Sequence, residues 1–145
     1  MTPQQQDLIR STWSQVAPIS DAAARIFYDR LFALDPHIAP MFAFTDMHAQ
    51  RKNLMQTLAV VVKSIDDLST IVPAVEAMGR RHASYGVHPT QYATVGTAQL
   101  DTLAVGLGDT FTPAARAAWG EAFETLASVM LAAAASESRT NASAA

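Results

Sequence analysis

With 145 residues, 50% of them hydrophobic and 16% charged, the chain has apolar material for one packed core and too little charge for a disordered chain. A formal net charge of -3 argues against nucleic acid or an anionic membrane surface as the partner. No cysteine is present, which removes disulfides, thiolate metal sites, cysteine nucleophiles and covalent cofactor attachment through a C-x-x-C-H motif.

Thr2-Pro3 pairs a cap with a proline suited to a first helical turn, and Leu8, Ile9, Trp13 and Val16 then predict an amphipathic helix that Pro18 ends. Ser20 is expected to cap a second helix, in which Tyr28 sits among Ile26, Phe27, Leu31 and Phe32. Asp35-Pro36 repeats the cap-then-proline signal and opens a short segment from His37 to Phe42. Phe42-Ala43-Phe44 leads into a loop, and Asp46 is the expected cap of a helix carrying Leu54, Leu58, Val61 and Ile65, with Gln50 one turn before Leu54. Asp66-Asp67 breaks it, and Ser69 or Thr70 is expected to cap the next.

That next helix holds the most informative stretch. Ile71, Val75, Met78 and His82 are spaced +4, +3, +4 and fall within roughly 60° of one another at about 100° per residue. His82 therefore faces the core, near the helix end that Gly86 marks. A core-facing imidazole is either a hydrogen-bonded structural residue or an inner ligand. His37 lies in a short polar turn, His88 precedes Pro89 in a loop, and His48 points roughly 160° away from Gln50 on a helix. Only His82 combines a helical position with an apolar face. Gly86-Val87-His88-Pro89 turns into a helix from about Pro89 to Leu107 that carries Tyr92, Val95, Leu100 and Leu103. Thr112-Pro113 starts the last helix, with Trp119, Phe123, Leu126 and Met130 inward. A small, polar, fraying tail is expected from Ser136, so that residues 1–135 form the domain and residues 136–145 a flexible extension. Arg80-Arg81 reads as a solvated or anion-contacting edge. The polar N-terminus and the lack of an apolar run of ~18 residues predict a cytoplasmic protein with no membrane partner. No strand alternation competes, and the fold class expected is all-α, with about six substantial helices and one or two short ones.

From about residue 3 to residue 132 the order of these landmarks resembles the globin family. Within it the chain is similar to bacterial single-domain haemoglobins and to the globin part of flavohaemoglobins. It also resembles neuroglobin-type globins in Ile65-Asp66-Asp67-Leu68-Ser69, Gly79-Arg80-Arg81-His82 and Phe111-Thr112-Pro113-Ala114-Ala115-Arg116-Ala117-Ala118-Trp119. The resemblance implies a globin fold of six to eight helices around a non-covalent haem b. It places His82 as the proximal iron ligand, Phe42 against the haem, and Tyr28, Gln50 and Leu54 on the distal side. It places Val87, Tyr92 and Val95 at the cofactor, and Arg81, Tyr85 and Lys52 as candidates for the propionate edge. Phe27, Leu103 and Phe123 would join the apolar wall, for which plain core is the equal reading.

The activity so implied is reversible oxygen binding, with nitric oxide and carbon monoxide as further ligands. The Tyr28/Gln50 pair implies high oxygen affinity, because one hydrogen bond to a charged acceptor contributes about 1.5–3 kcal/mol. Two competing readings use the same pocket. One is a nitric oxide dioxygenase or peroxidase-like enzyme served by a reductase in trans. The other is a haem-based gas sensor. Flavohaemoglobins pair the proximal histidine with a tyrosine and a glutamate. Tyr92 is present here, but the glutamate position falls near Ala134, within Ala132-Ala133-Ala134-Ala135. Asn53 stands where some relatives have a lysine directed at a propionate.

Overall fold

Local capping chemistry sets half of the helix starts. The Thr2 hydroxyl accepts from the Gln5 amide at 3.2 Å while the Gln5 side chain accepts from the Thr2 amide at 2.8 Å, a capping box that opens α1, Pro3–Val16. Asp46 accepts from the Ala49 amide at 3.2 Å and opens α3, Met47–Lys63. Thr112 accepts from the Ala115 amide at 3.1 Å ahead of α6, Pro113–Ala144. Between these lie α2, Ser20–Leu34, α4, Val72–Ser84, and α5, Gln91–Leu107.

Two expected caps are replaced by 3-10 turns. Ala17–Ile19 runs directly into α2, whose N-cap is Ile19, so Ser20 is a helical residue and caps nothing. Leu68–Ile71 runs into α4 in the same way, with Ile71 at the N-cap, and the Ser69 and Thr70 hydroxyls bond back to Asp67. In both places a tight turn satisfies the first amides, so no side-chain oxygen is required. Gly86, at φ 89°, follows α4 and supplies the left-handed stop read from the sequence. Gly106 lies within α5, and Gly108, at φ 58°, ends it.

This is a computed structural model, and it describes the backbone of residues 1–144 and the side chains of residues 1–137. Among the described residues there are six α-helices and no strand, which is the all-α class expected. α6 continues helical through the segment from Ser136 to Ala144. The side chains of the expected tail beyond Glu137, and Ala145 as a whole, lie outside the described residues. No helix among the described residues is long and apolar enough to cross a membrane.

The core has two parts. In the larger, Ile9, Val16, Ala24, Ile65, Ala118 and Trp119 pack where α1 meets α6 and the end of α3. The indole nitrogen of Trp119 donates to the Thr12 hydroxyl at 2.8 Å, and Thr12 donates to the Leu8 carbonyl at 2.6 Å, so this buried polar pair is satisfied. In the smaller, Phe27, Tyr28, Leu31, Ile38 and Ala98 pack with Phe32, Phe42, Leu54 and Val95. α4 packs most extensively on α6. There Gly79 meets Met130 so closely that a Cβ at Gly79 would lie 2.5 Å from the Met130 Cα. Backbone packs on backbone at that point, and α4 is held at a fixed depth.

Candidate haem pocket

A cavity of about 200 Å³ opens where α3, α4, α5 and α6 face one another. Its walls are almost wholly apolar: Phe27 from α2, Leu54, Met55, Leu58 and Val61 from α3, Val95 and Leu103 from α5, and Phe123, Leu126 and Met130 from α6. A lining of this kind suits an apolar ligand. Polar side chains that reach it include His82 near the end of α4, Tyr92 at the start of α5, Gln99 and Thr102 further along α5, and Thr57 from α3.

His82 is half-buried in the last turn of α4, and its Nδ1 lies 2.7 Å from the Met78 carbonyl one turn back. A carbonyl only accepts, so Nδ1 carries the proton and donates. That leaves Nε2 with a lone pair on a ring that lines the cavity. The turn-back bond fixes the ring orientation with no side-chain partner. Tyr92 lines the same cavity, its hydroxyl has no hydrogen-bond partner among the described residues, and burial pushes its pKa up.

The second polar group lies beside the cavity. Tyr28 is 5% exposed, with its ring edge-on to Phe27 at 4.9 Å and to Phe42 at 5.6 Å. Gln50 Nε2 donates to Tyr28 Oη at 3.0 Å, joining α3 to α2. Burial raises the Tyr28 pKa, and the Gln50 bond opposes that rise.

The structure thus brings His82, Leu54, Val87, Tyr92 and Val95 together on one cavity, with Phe27, Leu103 and Phe123 beside them. Tyr28, Gln50 and Phe42 do not line that space; they are gathered in the adjoining cluster, which Leu54 and Val95 share with it. Arg81 and Tyr85 are exposed and do not line it, although the Tyr85 ring lies 6.3 Å from the His82 ring. Lys52 lies in a separate surface cleft with Trp13, Ala17 and Ser20. Cavity residues that the sequence reading did not assign to a site include Met55, Thr57, Met78, Gln99 and Thr102. Met78 belongs to the His82 stripe, and Thr102 shares a helical face with Val95 and Gln99, so their spacing was the available signal.

A family model described as Globin matches residues 25–130. The chain is 30% identical over 133 residues to the flavohemoprotein of Vibrio cholerae serotype O1, an alignment covering 90% of this chain and 34% of that protein. The chain therefore spans about a third of the length of that curated relative. On the family match, the helical order and the cavity faced by His82, the chain belongs to the globin family.

Proposed function

We propose that this chain holds a non-covalent haem b in the cavity with His82 on the iron, and that it binds oxygen reversibly and tightly, with carbon monoxide and nitric oxide as competing ligands. One observation carries the reading: His82 lines the cavity with Nδ1 committed to the Met78 carbonyl at 2.7 Å, so the Nε2 lone pair is free to ligate. Globin membership implies a haem and small gaseous ligands. The residues present fit it. A flat apolar ring system suits walls such as Leu54, Leu58, Val95 and Phe123, and the open mouth suits its charged edge. The chain has no cysteine, so this mode of holding is non-covalent.

When bound, the haem would supply an iron able to take up a diatomic ligand, with His82 as the residue that would hold it. The chain's residues set the affinity and the lifetime of that ligand. Phe27, Leu54 and Val95 keep water away, which slows oxidation of the iron. Tyr28 Oη accepts from Gln50, so its own O–H remains to donate. Accepting one bond polarises the hydroxyl and makes it the stronger donor. A bond of that kind to a partly charged ligand is worth about 1.5–3 kcal/mol, or one to two decades of affinity.

The acceptor at His82 Nδ1 favours reversible binding over peroxidase-like chemistry. A peptide carbonyl is uncharged and leaves the imidazole neutral, whereas a carboxylate partner would push electrons toward the iron. Tyr92 has no acidic partner among the described residues, and by sequence spacing the glutamate of the flavohaemoglobin pattern would fall near Ala134. A nitric oxide dioxygenase working with a reductase in trans is the competing reading. It predicts turnover far above buffer oxidation when a reductase is supplied.

The deciding measurement is the visible spectrum of the ferric, reduced and carbon monoxide-treated protein, for wild type and for His82→Ala. A Soret band that moves on reduction and with carbon monoxide, and that is lost or altered in the variant, is expected. A protein that takes up no added haemin sinks the reading.

A further inference from the structure

Behind α3, on the side away from Gln50, a second cleft lies against the corner where α1 turns into α2. It has a volume of about 370 Å³, room for about a dozen waters at ~30 Å³ each. Two adjacent stripes of α3 face it. One is His48, Lys52 and Gln56 and the other is Arg51, Met55 and Ala59, each at i, i+4, i+8. The opposite wall is Trp13, Ala17, Ser20 and Asp21.

The chemistry of this cleft is divided. Its floor is apolar: Trp13, Ala17, Met55 and Ala59. Its rim carries Arg51 and Lys52 against Asp21, a balance of one positive charge, with His48 as a further donor. Arg51 is preorganised, since its side chain is 14% exposed and its Nε is bonded to Asp21 Oδ1 at 3.2 Å. The Arg51 terminal nitrogens, the Lys52 ammonium and the His48 ring have no ion-pair or hydrogen-bond partner among the described residues. Asp21 also pairs with Arg25 at 3.0 Å, so its charge is shared.

We propose that this cleft binds a small arylcarboxylate, with its carboxylate on Lys52, Arg51 and His48 and its ring on Trp13 and Met55. A single net positive charge matches a monoanion, and Asp21 at the rim repels a second negative charge. The apolar floor gives an inorganic anion nothing to bury, whereas a ring stacks on the indole and covers the methionine. Trp13 and Met55 also line the main cavity, so these two side chains form the partition between the sites. A molecule in the cleft therefore touches the back of the main cavity's wall, and this makes the site a second ligand site of the same domain rather than an isolated surface hollow.

The test is calorimetric titration of the whole protein with 2-naphthoate, in the reduced form saturated with carbon monoxide so that no carboxylate competes at an iron. Saturable one-to-one binding is expected. The uncharged 2-naphthamide should bind about tenfold more weakly or worse, having no charge for these donors, and so should 2-naphthoate to Lys52→Glu, which puts a repelling carboxylate in place of the ammonium. Ala59→Trp, at an exposed position on the floor, should abolish binding by filling the space. Unchanged helical circular dichroism melts would show that both variants fold. The proposal is overturned by any of four results: no saturable binding of 2-naphthoate, equal binding of the amide, inorganic phosphate binding as tightly as 2-naphthoate, or undiminished binding by either folded variant.

Discussion

Gln50 and Tyr28 are joined at 3.0 Å, with the amide of one helix donating to the phenol oxygen of another. The order of donation matters for function. Tyr28 keeps its proton, which on the proposed reading is available to a bound ligand, and Gln50 is spent holding the phenol. Tyr28→Phe should therefore raise the oxygen dissociation rate by about 10–100-fold. Gln50→Leu should raise it less, because the Tyr28 hydroxyl persists. Stopped-flow replacement of oxygen by carbon monoxide reads both, and an unchanged rate in Tyr28→Phe would remove the phenol from the ligand's surroundings.

The His82 imidazole donates to an uncharged acceptor. The ferrous iron–imidazole stretch, read by resonance Raman spectroscopy, should accordingly fall where neutral imidazoles fall. Tyr92→Phe should leave it in place, since the Tyr92 hydroxyl has no part in the His82 bond. A shift in that variant would mean that Tyr92 reaches the proximal ring once the cofactor is bound.

Two glycines should respond differently to alanine. At Gly79 the new methyl would meet the Met130 backbone, which cannot yield as a flexible side-chain tip can. Overpacking of this kind costs about 1–3 kcal/mol and should loosen α4, so Gly79→Ala should lower both Tm and haem retention. At Gly86 there is open space, but φ is +89°, so Gly86→Ala should cost about 1 kcal/mol through backbone strain alone. Thermal melts of the two variants separate these cases, and a fully stable Gly79→Ala would contradict the close approach.

Stability should fall at alkaline pH. Burial raises the Tyr28 pKa above its ordinary value of 10.0, and Tyr92 is raised for the same reason. An acid with a raised folded pKa contributes stability that is complete below the unfolded pKa and is lost as pH rises through the folded one. Urea midpoints should therefore be flat with respect to these groups below about pH 10 and decline above it. Tyr28→Phe should make that decline shallower. An equal decline in wild type and variant would show that Tyr28 ionises as easily folded as unfolded.

Much of this was legible from periodicity. Val75, Met78 and His82 form a stripe because helical geometry allows no other outcome, and the same geometry supplies the carbonyl that His82 bonds, four residues back. Thr2, Asp46 and Thr112 were legible as caps because their oxygens serve amides three residues on. Ser20 and Ser69 were misread because a 3-10 turn can do a cap's work, and its presence depends on how the preceding chain arrives. Lys52 shows the same limit. Its spacing from Gln50 says that it points elsewhere, but only the crossing of α3 with α1 reveals a cleft there. The wall shared by Trp13 and Met55 belongs to that crossing and to no local pattern.

The contact of Gly79 with Met130 has a mechanical side. With no side chain between them, α4 and α6 have no compressible layer at that point. A load on the His82 side chain would therefore pass from α4 to α6, which runs from Pro113 to Ala144. His82 is thus mounted on a braced helix, while the Tyr28 hydroxyl is held by one amide from a neighbouring helix. The helix that carries His82 is therefore braced backbone to backbone, whereas the Tyr28 hydroxyl is braced by a side chain alone.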